Sequence, residues 1–337
     1  MRVPRFVGGG RIEWAEREVP APGPGQLLLR VGANALCGSE RGQFFGGSAV
    51  VPGHEAAGVV AAAGPDTAVA PGTPGVAYLM EFCGRCRNCR LGHTNLCLAK
   101  GGDLGFNRDG GYAPFEIVSE RAFFPVPAEV PADVATLLLD AMGTSGHAIG
   151  RARRVREDVE SVLITGAGPV GLGLLAMWRV QAGPDLPVYV SDVAPRRLAL
   201  VERLGGTPVP VAVRTLADAL AREGRGAVDV AFDASGRAEA RQAAVAALGS
   251  RGVLVCVGHG QDVRLDVSRD LIGPERAVLG SEYFRYAELG ENLPLLLAHR
   301  AYLAQILTHR FGPDDLPLAF EAFFGGETGK AVVVHPT

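Results

Sequence analysis

From Asp158 to Leu279 the chain alternates short apolar strands with helical stretches, and this alternation constrains the fold more than any other feature. Strands are predicted at Val162–Thr165, Val188–Asp192, Val228–Asp233 and Gly252–Val257. Strands of this length that alternate with helices are typical of a doubly wound parallel sheet. The sequence therefore predicts an α/β fold with a Rossmann-type sheet in this part of the chain.

A glycine-rich turn follows the first of these strands. Gly166, Gly168 and Gly171 form the pattern G-x-G-x-x-G, and Pro169 and Val170 open the predicted helix. The first glycine permits a tight turn, the second lets backbone approach a pyrophosphate, and the third lets the helix pack on the strand. Because a helix N-terminus also attracts phosphate, the turn predicts a dinucleotide site.

An acidic residue, Asp192, ends the next strand, twenty-four residues after Gly168. A carboxylate at this place can hold the ribose hydroxyls of NAD and would repel the 2′-phosphate of NADP. Arg196 and Arg197 keep NADP open, because either guanidinium could pair with that phosphate. The sequence therefore favours NAD, with NADP as the alternative.

Four cysteines within fifteen residues form the strongest single motif. Cys83, Cys86, Cys89 and Cys97 have the spacing C-x2-C-x2-C-x7-C. The N-terminus has no apolar segment of signal-peptide type, so we expect a cytoplasmic protein with reduced thiols rather than disulfides. Four thiolates complete a tetrahedral zinc site and leave no position open, which predicts a structural zinc ion. An iron–sulfur cluster and four metal-free thiols are the alternatives.

The regions on either side of the alternating segment have a different sequence pattern. Up to about Gly150, short β-like runs are broken by glycine and proline, which predicts a β-rich domain. After Leu279 the alternation weakens, and we expect the tail to return to the first domain. The predicted elements are Gln26–Val31, Ala56–Ala63, Gly75–Leu79 and Tyr112–Val118 before the alternating segment, and a helix at Ala287–His299 followed by Thr308–Phe311, Leu316–Phe324 and Lys330–Val334 after it.

Charge and hydropathy exclude two classes of partner. The formal net charge is −3, so no basic field favours nucleic acid. Ser161–Trp178 carries no charged residue. Its glycines, its proline and its marginal length for a bilayer indicate a buried strand and helix rather than a membrane span. We therefore expect neither a nucleic-acid nor a membrane partner.

Further potential metal ligands are scattered in the first 150 residues. Cys37, His54 and Glu55 lie in two glycine-flanked loops, and Asp140 follows an apolar run. Each alone has an ordinary structural explanation as a buried thiol, a capping histidine or a surface carboxylate. Their order along the chain, before and after the four-cysteine motif, is more informative.

In that order, and with the later glycine turn, the chain resembles the zinc-dependent medium-chain dehydrogenase/reductase family over essentially its whole length. The resemblance implies a β-rich, GroES-like catalytic domain formed by residues 1–148 and 282–337, with a Rossmann domain, residues 149–281, inserted between them. The active site would lie in the cleft. Further matches are Asp109-Gly-Gly-Tyr112, Phe232-Asp-Ala-Ser-Gly236 and Gly329-Lys330.

The same resemblance implies roles for the scattered residues. Cys37, His54 and Asp140 would bind a catalytic zinc ion and leave its fourth position open for substrate. Glu55 would be the acid beside this ion, either bound to it or exchanging with water. Ser39 would hydrogen-bond the substrate oxygen and pass on its proton.

Other neighbours of the site follow from the same comparison of motifs. Glu40 matches an acid that orients a metal-bound imidazole. Many family members carry a relay histidine five residues after the first ligand, whereas this chain has Gly42. His147 could replace it, although a structural role is the favoured interpretation. Candidate pocket walls, each of which could instead pack in the core, are Phe44, Phe45, Met142 and Tyr283.

The resemblance therefore implies an enzyme with two zinc ions per chain and NAD. Its reaction would be the reversible oxidation of a secondary alcohol or polyol, with a sugar alcohol or cyclitol as candidates, to the ketone. A primary alcohol dehydrogenase and an NADPH-linked carbonyl reductase are alternatives that keep the same site. A non-catalytic, zinc-stabilised NAD-binding redox sensor is the alternative from another class. By resemblance alone, a homodimer or homotetramer is expected.

Overall fold

The computed structural model describes residues 1–224 and 226–336 and contains two large sheets. Arg225 and Thr337 fall within the predicted Rossmann and catalytic domains and lie outside the described residues. One sheet is built from the N-terminal part of the chain together with its tail. The other is built from the segment between them.

The N-terminal part consists mainly of strands. Strand β3 lies at its centre and pairs antiparallel with β4 and β8. Leu27, Leu29 and Val31 of β3 are buried, because every second residue of a strand faces the same side. The elements are β1 (Arg2–Gly8), β2 (Arg11–Glu16), β3 (Gln26–Ala35), α1 (Arg41–Gly46), β4 (Ala56–Ala63), β5 (Pro74–Ala77), β6 (Met80–Glu81), α2 (Arg87–Arg90), β7 (Gly102–Asp103), β8 (Phe115–Ser119), β9 (Phe123–Pro125), α3 (Ala132–Ala135) and α4 (Ser145–Arg153).

Of two strands predicted in this part, one has the predicted bounds and the other begins later than predicted. The strand Ala56–Ala63 is confirmed as β4. The predicted start of a strand at Tyr112 is wrong, because β8 begins at Phe115. Tyr112 donates its backbone N–H to the carbonyl of Pro52, outside the sheet, and therefore belongs to a turn.

Six parallel strands form the second sheet. Their order is β12-β11-β10-β13-β14-β15, with helices between successive strands, so the predicted doubly wound sheet is confirmed. The elements are β10 (Val162–Thr165), α5 (Pro169–Ala182), β11 (Val188–Asp192), α6 (Pro195–Arg203), β12 (Thr207–Pro210), α7 (Leu216–Arg222), β13 (Val228–Asp233), α8 (Ala238–Ala247), β14 (Leu248–Cys256) and β15 (Ala277–Gly280).

The fourth predicted strand starts earlier than its sequence pattern indicates. Strand β14 begins at Leu248 instead of Gly252, because Leu248 already pairs with Val228 before an irregularity in the ladder. The uncharged segment Ser161–Trp178 forms β10 and most of α5, as predicted. Within the described ranges, no helix is both long and apolar enough to cross a membrane.

The tail adds two strands to the first sheet. Strand β17 pairs antiparallel with β3 and parallel with β16. The sheet order is therefore β16-β17-β3-β4-β5-β9, with β8 also on β3. The tail elements are α9 (Glu288–Leu303), β16 (Leu307–Phe311), α10 (Leu316–Phe324) and β17 (Lys330–Val334).

Candidate active site

Four of the scattered residues meet in one buried cluster. Cys37, His54, Glu55 and Asp140 each offer a ligand atom within 4.8 Å of the others. The Cys37 Sγ atom lies 3.2 Å from Asp140 Oδ2, and His54 Nε2 lies 3.3 Å from the same oxygen. All four side chains are buried. The cluster is therefore closed to bulk water on most sides.

Pairing of β3 with β4 explains how the first three residues meet. Cys37 follows the end of β3, while His54 and Glu55 directly precede β4, and antiparallel strands bring these ends together. The backbone N–H of Glu55 donates to Asn34 Oδ1 at 3.2 Å. Asp140 arrives from a separate π-helical turn, Asp140–Thr144, which precedes α4.

Outer contacts hold His54 in place. Its Nδ1 atom lies 3.2 Å from Glu40 Oε1, and its Nε2 atom faces Asp140. In this position Glu40 can orient the imidazole of His54. The Tyr112 hydroxyl donates to Glu40 Oε2 at 2.8 Å, and the Cys37 N–H donates to the same atom at 3.2 Å. In the sequence, Tyr112 is recognisable only as part of the Asp109-Gly-Gly-Tyr112 motif, and no local pattern indicates this contact with Glu40.

Close backbone packing brings Tyr112 to the site. Gly53, next to His54, has a φ of +103°, and a Cβ atom there would lie 2.7 Å from the Tyr112 nitrogen. Only glycine avoids both the strained backbone and the clash. The Asp109-Gly-Gly-Tyr112 motif therefore packs directly on the loop that carries His54.

A buried lysine completes the cluster. Lys330, the first residue of β17, contacts Glu55 Oε1 through its Nζ atom, and both side chains are fully buried. In the sequence, Lys330 is recognisable only as part of the Gly329-Lys330 motif. No local pattern connects it to Glu55, because 275 residues separate the two.

Burial and mutual contact shift the pKa values of these groups. Burial, together with the Asp140 carboxylate, raises the pKa of Cys37. Burial alone would lower the pKa of His54, but its contacts with Asp140 and Cys37 raise it well above the usual value. Burial raises the pKa of Glu55 to about 8, although Lys330 lowers it in part. The pKa of Asp140 is lowered despite burial, chiefly by His54. A divalent cation would stabilise so many acidic groups in one buried place.

The donor set fits zinc. One thiolate, one imidazole and one carboxylate are ligands that zinc accepts in sites that keep a position open. Glu55 also offers a carboxylate oxygen to the cluster, and its Oε2 atom is buried with no hydrogen-bond partner among the described residues. Thr144 Oγ1 donates to Asp140 Oδ1 at 2.9 Å, and this hydrogen bond orients the Asp140 carboxylate.

The remaining candidates near the cluster have different environments. Ser39 is exposed on the turn Gly38–Glu40, and within the described residues its side chain makes no hydrogen bond to the backbone. His147 is buried, with Nδ1 3.0 Å from Glu288 Oε2, which favours its structural interpretation. Phe44 and Met142 are both buried in core clusters, which favours core packing, the alternative given for each candidate pocket wall.

Two of the four candidate walls stay outside the core. Phe45 is about half exposed and packs against the ring of Phe324, with the Arg41 guanidinium over its face. Tyr283 is partly buried and has a φ of +41°, which is unusual for a residue other than glycine. Burial raises the pKa of its hydroxyl, the nearby His54 lowers this pKa in part, and Asp140 raises it further.

The four-cysteine motif forms a second cluster near the surface. The Sγ atoms of Cys83, Cys86, Cys89 and Cys97 lie within 4.8 Å of one another. Backbone N–H groups point at these sulfur atoms, for example that of Cys86 toward Cys83 Sγ at 3.3 Å. Backbone hydrogen bonds from Cys89 and Leu98 lower the pKa of Cys86 to about 6. Burial and contacts with the neighbouring thiols raise the pKa of Cys89, so the backbone favours the thiolate at Cys86 but not at every cysteine. The set of four sulfur atoms fits a closed zinc site.

The glycine turn has the geometry expected of a pyrophosphate site. Gly166 has a φ of +94°, and a Cβ atom on Gly171 would lie 1.8 Å from the Gly166 carbonyl oxygen. A Cβ atom on Gly168 would meet nothing within 4 Å, so open space lies above this residue. Pro169 and Val170 begin α5, whose first N–H groups have no side-chain cap.

Asp192 and Arg197 lie beside this turn but have different partners. Asp192 Oδ2 accepts the N–H of Ala167 at 2.7 Å, which ties the end of β11 to the turn. Arg197 donates to the carbonyls of Thr328 and Phe323 and is therefore held by the tail. Arg196 is exposed and lies 3.8 Å from Glu327 Oε2.

The metal cluster and the glycine turn are joined through α5. A Cβ atom on Gly173 of this helix would lie 2.2 Å from the carbonyl oxygen of Ala141, so the turn that carries Asp140 packs directly on it. Ser145 Oγ donates to the carbonyl of Val170 at 3.2 Å. Both candidate sites therefore share one rigid support.

Comparison with known families finds two matches. Residues 23–128 match the alcohol dehydrogenase GroES-like domain. Residues 134–334 match the glucose dehydrogenase C-terminus. Together the two matches span most of the chain.

Relatives extend over nearly the whole length. An L-threonine 3-dehydrogenase of Deinococcus deserti is 31% identical, over 96% of this chain and 95% of that protein. A cobalt- and zinc-bound thermostable alcohol dehydrogenase from Pyrobaculum aerophilum is 29% identical, with a TM-score of 0.83 and 99% of each chain covered. An alcohol dehydrogenase from Escherichia coli CFT073, complexed with NADH, is 21% identical with a TM-score of 0.86, again over 99% of each chain, and shares the fold.

Proposed function

We propose that this chain, which belongs to the zinc-dependent medium-chain dehydrogenase/reductase family, catalyses the reversible NAD-linked oxidation of a secondary alcohol or polyol to the ketone. Membership makes it a zinc-dependent alcohol dehydrogenase that acts on CH–OH donors with NAD(P). One observation carries the finer proposal: the turn bearing Asp140 packs on the helix that the glycine-rich turn opens.

Within this proposal Cys37, His54 and Asp140 hold the catalytic zinc ion, and Cys83, Cys86, Cys89 and Cys97 hold the structural one. The catalytic ion, when bound, would supply a Lewis acid for the substrate oxygen, and the nicotinamide would supply a hydride acceptor. Ser39 Oγ, exposed two residues from Cys37, would accept the hydroxyl proton of the substrate while its own hydroxyl proton is passed on. Gly42 has no side chain to carry the proton further, so it passes to solvent.

A secondary alcohol is the preferred substrate class. The L-threonine 3-dehydrogenase among the relatives is named for oxidation at a carbon that bears a secondary hydroxyl, which supports this class. Sugar alcohols and cyclitols carry the same group. A homodimer or homotetramer remains part of the proposal, and analytical ultracentrifugation measures it directly.

A substrate panel with both cofactors tests the proposal. We expect turnover with secondary alcohols or polyols and NAD, two zinc ions per chain, and loss of activity when a chelator removes one of them. Faster turnover of primary alcohols would favour that alternative, and activity confined to NADPH and carbonyls would favour the reductase. A single tightly held zinc ion with no turnover would favour the non-catalytic sensor.

The cofactor preference rests on Asp192. Asp192→Ala should raise the KM for NAD by about tenfold and that for NADP less, because hydrogen bonds to a charged carboxylate contribute about 1.5–3 kcal/mol. Arg196→Ala is the matched control, since it should affect only NADP. An unchanged ratio of the two KM values in Asp192→Ala would count against a ribose contact.

A further inference from the structure

Arg241 of α8 is a buried arginine that the proposed function does not use. Its Nε atom donates to Asp233 Oδ2 at 2.7 Å, and its terminal nitrogens donate to the carbonyl groups of Gly258 and Gln261. Asp233 is fully buried as well. Because both charges lose their hydration, a buried ion pair by itself adds little net stability. The contacts of Arg241 therefore matter chiefly for what they hold in place.

Two loops meet at this ion pair, and we call them the paired loops. The first, residues 234–237, follows β13, and the second, residues 257–261, follows β14. The Asp233 carboxylate accepts two backbone N–H groups of the first loop, while Arg241 donates to two carbonyl groups of the second. The last N–H of the second loop also donates to the Gly236 carbonyl at 2.8 Å. Arg241 therefore joins the two loops through Asp233.

The paired loops lie beside the glycine turn, at the carboxyl ends of the parallel strands. A Cβ atom on Gly166 would lie 3.2 Å from the Cβ atom of Ser235 in the first loop. A dinucleotide on a sheet of this kind crosses the point where the strand order reverses, which here lies between β10 and β13. Asp192, the proposed ribose contact, ends β11 on the other side of β10. The paired loops therefore face the half of the cofactor that carries the nicotinamide.

A second contact places the same loops toward the metal cluster. His259 of the second loop has its Nε2 atom 3.3 Å from Glu282 Oε2. Burial chiefly raises the pKa of the hydroxyl of the next residue, Tyr283, but His54 and Asp140 lie close enough to alter it. The second loop is therefore next to a segment that reaches the metal cluster. A nicotinamide ring between the cluster and the glycine turn would lie against this loop.

We propose that Arg241 is a positioning residue: by joining the paired loops, it fixes the wall against which the nicotinamide ring lies and so the place of the ring relative to the substrate. Arg241 itself touches neither cofactor nor substrate. This inference rests on the proposed function, because it requires a dinucleotide on the glycine turn. It concerns the nicotinamide half alone, so binding of the adenine half should not depend on Arg241.

Comparison of NADH with ADP-ribose, which lacks the nicotinamide, tests the proposal without relying on turnover. In Arg241→Met, the emission spectrum of bound NADH should shift toward that of free NADH, while the Kd of ADP-ribose should stay within about twofold of the wild type. The single-turnover rate of hydride transfer should fall by about 100-fold, because a misplacement of about 1 Å has an effect of this size.

Arg276→Met is the matched control. Arg276 also donates to three backbone carbonyl groups, but these belong to Val245, Leu248 and Gly249, at the opposite end of β14. This variant should lower the melting temperature and keep the wild-type NADH emission and hydride-transfer rate. The same spectral change in Arg276→Met as in Arg241→Met would overturn the proposal, because any loss of an arginine from the sheet would then suffice.

Two results in Arg241→Met itself would overturn the proposal. One is a wild-type NADH emission and rate, and the other is a loss of ADP-ribose affinity as large as that of NADH, which would indicate general support of the domain. Arg241→Lys keeps the test decisive if Arg241→Met does not fold. Its ammonium group can still pair with Asp233, but a point charge cannot reach all three acceptors as the planar guanidinium does. Wild-type emission and rate in that variant would then overturn the proposal.

The wild-type protein separates this inference from the proposed function. If wild-type protein binds neither NADH nor ADP-ribose, or shows no turnover on the substrate panel, the proposed function fails whatever Arg241 does. If it binds both and turns over, and only the variants fail to behave as stated, the inference about Arg241 fails alone.

Discussion

The two potential zinc sites of this protein are built in opposite ways. The four-cysteine cluster takes all its ligands from fifteen consecutive residues and lies near the surface, with partly exposed side chains. The other cluster takes Cys37, the pair His54 and Glu55, and Asp140 from three separate segments, and it is buried. One site is local and solvated, and the other is assembled by tertiary structure.

The two sites also differ in what sets the pKa and the orientation of their potential ligands. In the surface cluster, backbone N–H groups lower the pKa of Cys83 and Cys86, although burial and the neighbouring thiols raise that of Cys89. In the buried cluster, desolvation raises the pKa of Cys37, and the orientation of its partners depends on side chains further out, such as Glu40 and Lys330. A buried site therefore needs a wider shell of supporting residues than a surface lobe with backbone donors.

The surface lobe is nevertheless connected to the rest of the protein. Asn95 Nδ2, between the third and fourth cysteines, donates to the Glu282 carbonyl at 2.7 Å. Thr94 Oγ1 accepts the N–H of Tyr286 at 2.8 Å. These bonds hold the segment through which the chain leaves the parallel sheet and approaches α9. The lobe therefore supports the junction between the two sheets.

Loss of a ligand from the buried cluster should have the largest effect on activity. Cys37→Ser should lower kcat by more than about 100-fold, because even outer contacts of a metal change activity by about 10–100-fold. NAD binding and the circular dichroism spectrum should remain unchanged, since the glycine turn lies elsewhere. Zinc analysis should find one ion per chain instead of two. Wild-type turnover in this variant would refute the ligand role of Cys37.

Loss of an outer contact should have a smaller effect. Glu40→Gln keeps the size of the side chain but removes the charge beside His54, and we expect metal affinity or kcat to fall by about 10–100-fold. Tyr112→Phe removes only one hydrogen bond to Glu40. Its decrease in metal affinity or kcat should lie at or below the lower end of this range. If both variants behave like the wild type, the buried cluster does not depend on its outer shell.

Changes in the surface lobe should affect stability more than turnover. Cys86→Ser should release the structural zinc and lower the melting temperature, while turnover per remaining zinc changes only a few-fold. Asn95→Ala is the matched test of the connection, because it leaves all four thiols. It should lower the free energy of unfolding by about 0.5–1.5 kcal/mol, since the partly buried hydrogen bond to the Glu282 carbonyl is lost. A loss of turnover as large as that of Cys37→Ser would remove the distinction between the two sites.

Another buried acid, Glu116, tests what burial does to a carboxyl group that is outside the metal clusters and has no ion pair among the described residues. Glu116 of β8 is buried, both its oxygens lack a hydrogen-bond partner among the described residues, and burial together with Asp109 and Glu81 raises its pKa well above the usual value. The folded state therefore holds this proton longer than the unfolded state. Stability is lost as the pH rises above the unfolded pKa, until the folded pKa is passed.

Glu116→Gln should have no effect on turnover and should remove this pH dependence. Its free energy of unfolding in urea should exceed that of the wild type at pH 8 by more than at pH 5. Equal differences at the two pH values would show that Glu116 ionises as easily in the folded protein as in the unfolded chain.

Local features of the molecule were predictable because their signals lie within short segments. The bounds of β10, β11, β13 and β17 follow from mostly apolar runs, since a strand buried on both faces is filled chiefly with apolar residues. The cysteine spacing and the glycine turn were equally visible. The order of the motifs also predicts Cys37, His54 and Asp140 as metal ligands, although only by resemblance to a family.

Contacts across the chain were decided by the tertiary structure. Sequence alone could not place Lys330 on Glu55 or Tyr112 on Glu40, and it offered Phe44 and Met142 as pocket walls although both are buried in core clusters. Hydrophobic patterns report which residues are buried but not which partners they meet, because those partners depend on how distant strands pair. The sequence by itself determined the two sheets, the glycine turn and the cysteine lobe, whereas strand pairing of β3 with β4 and β17 decided the buried cluster and its charge balance.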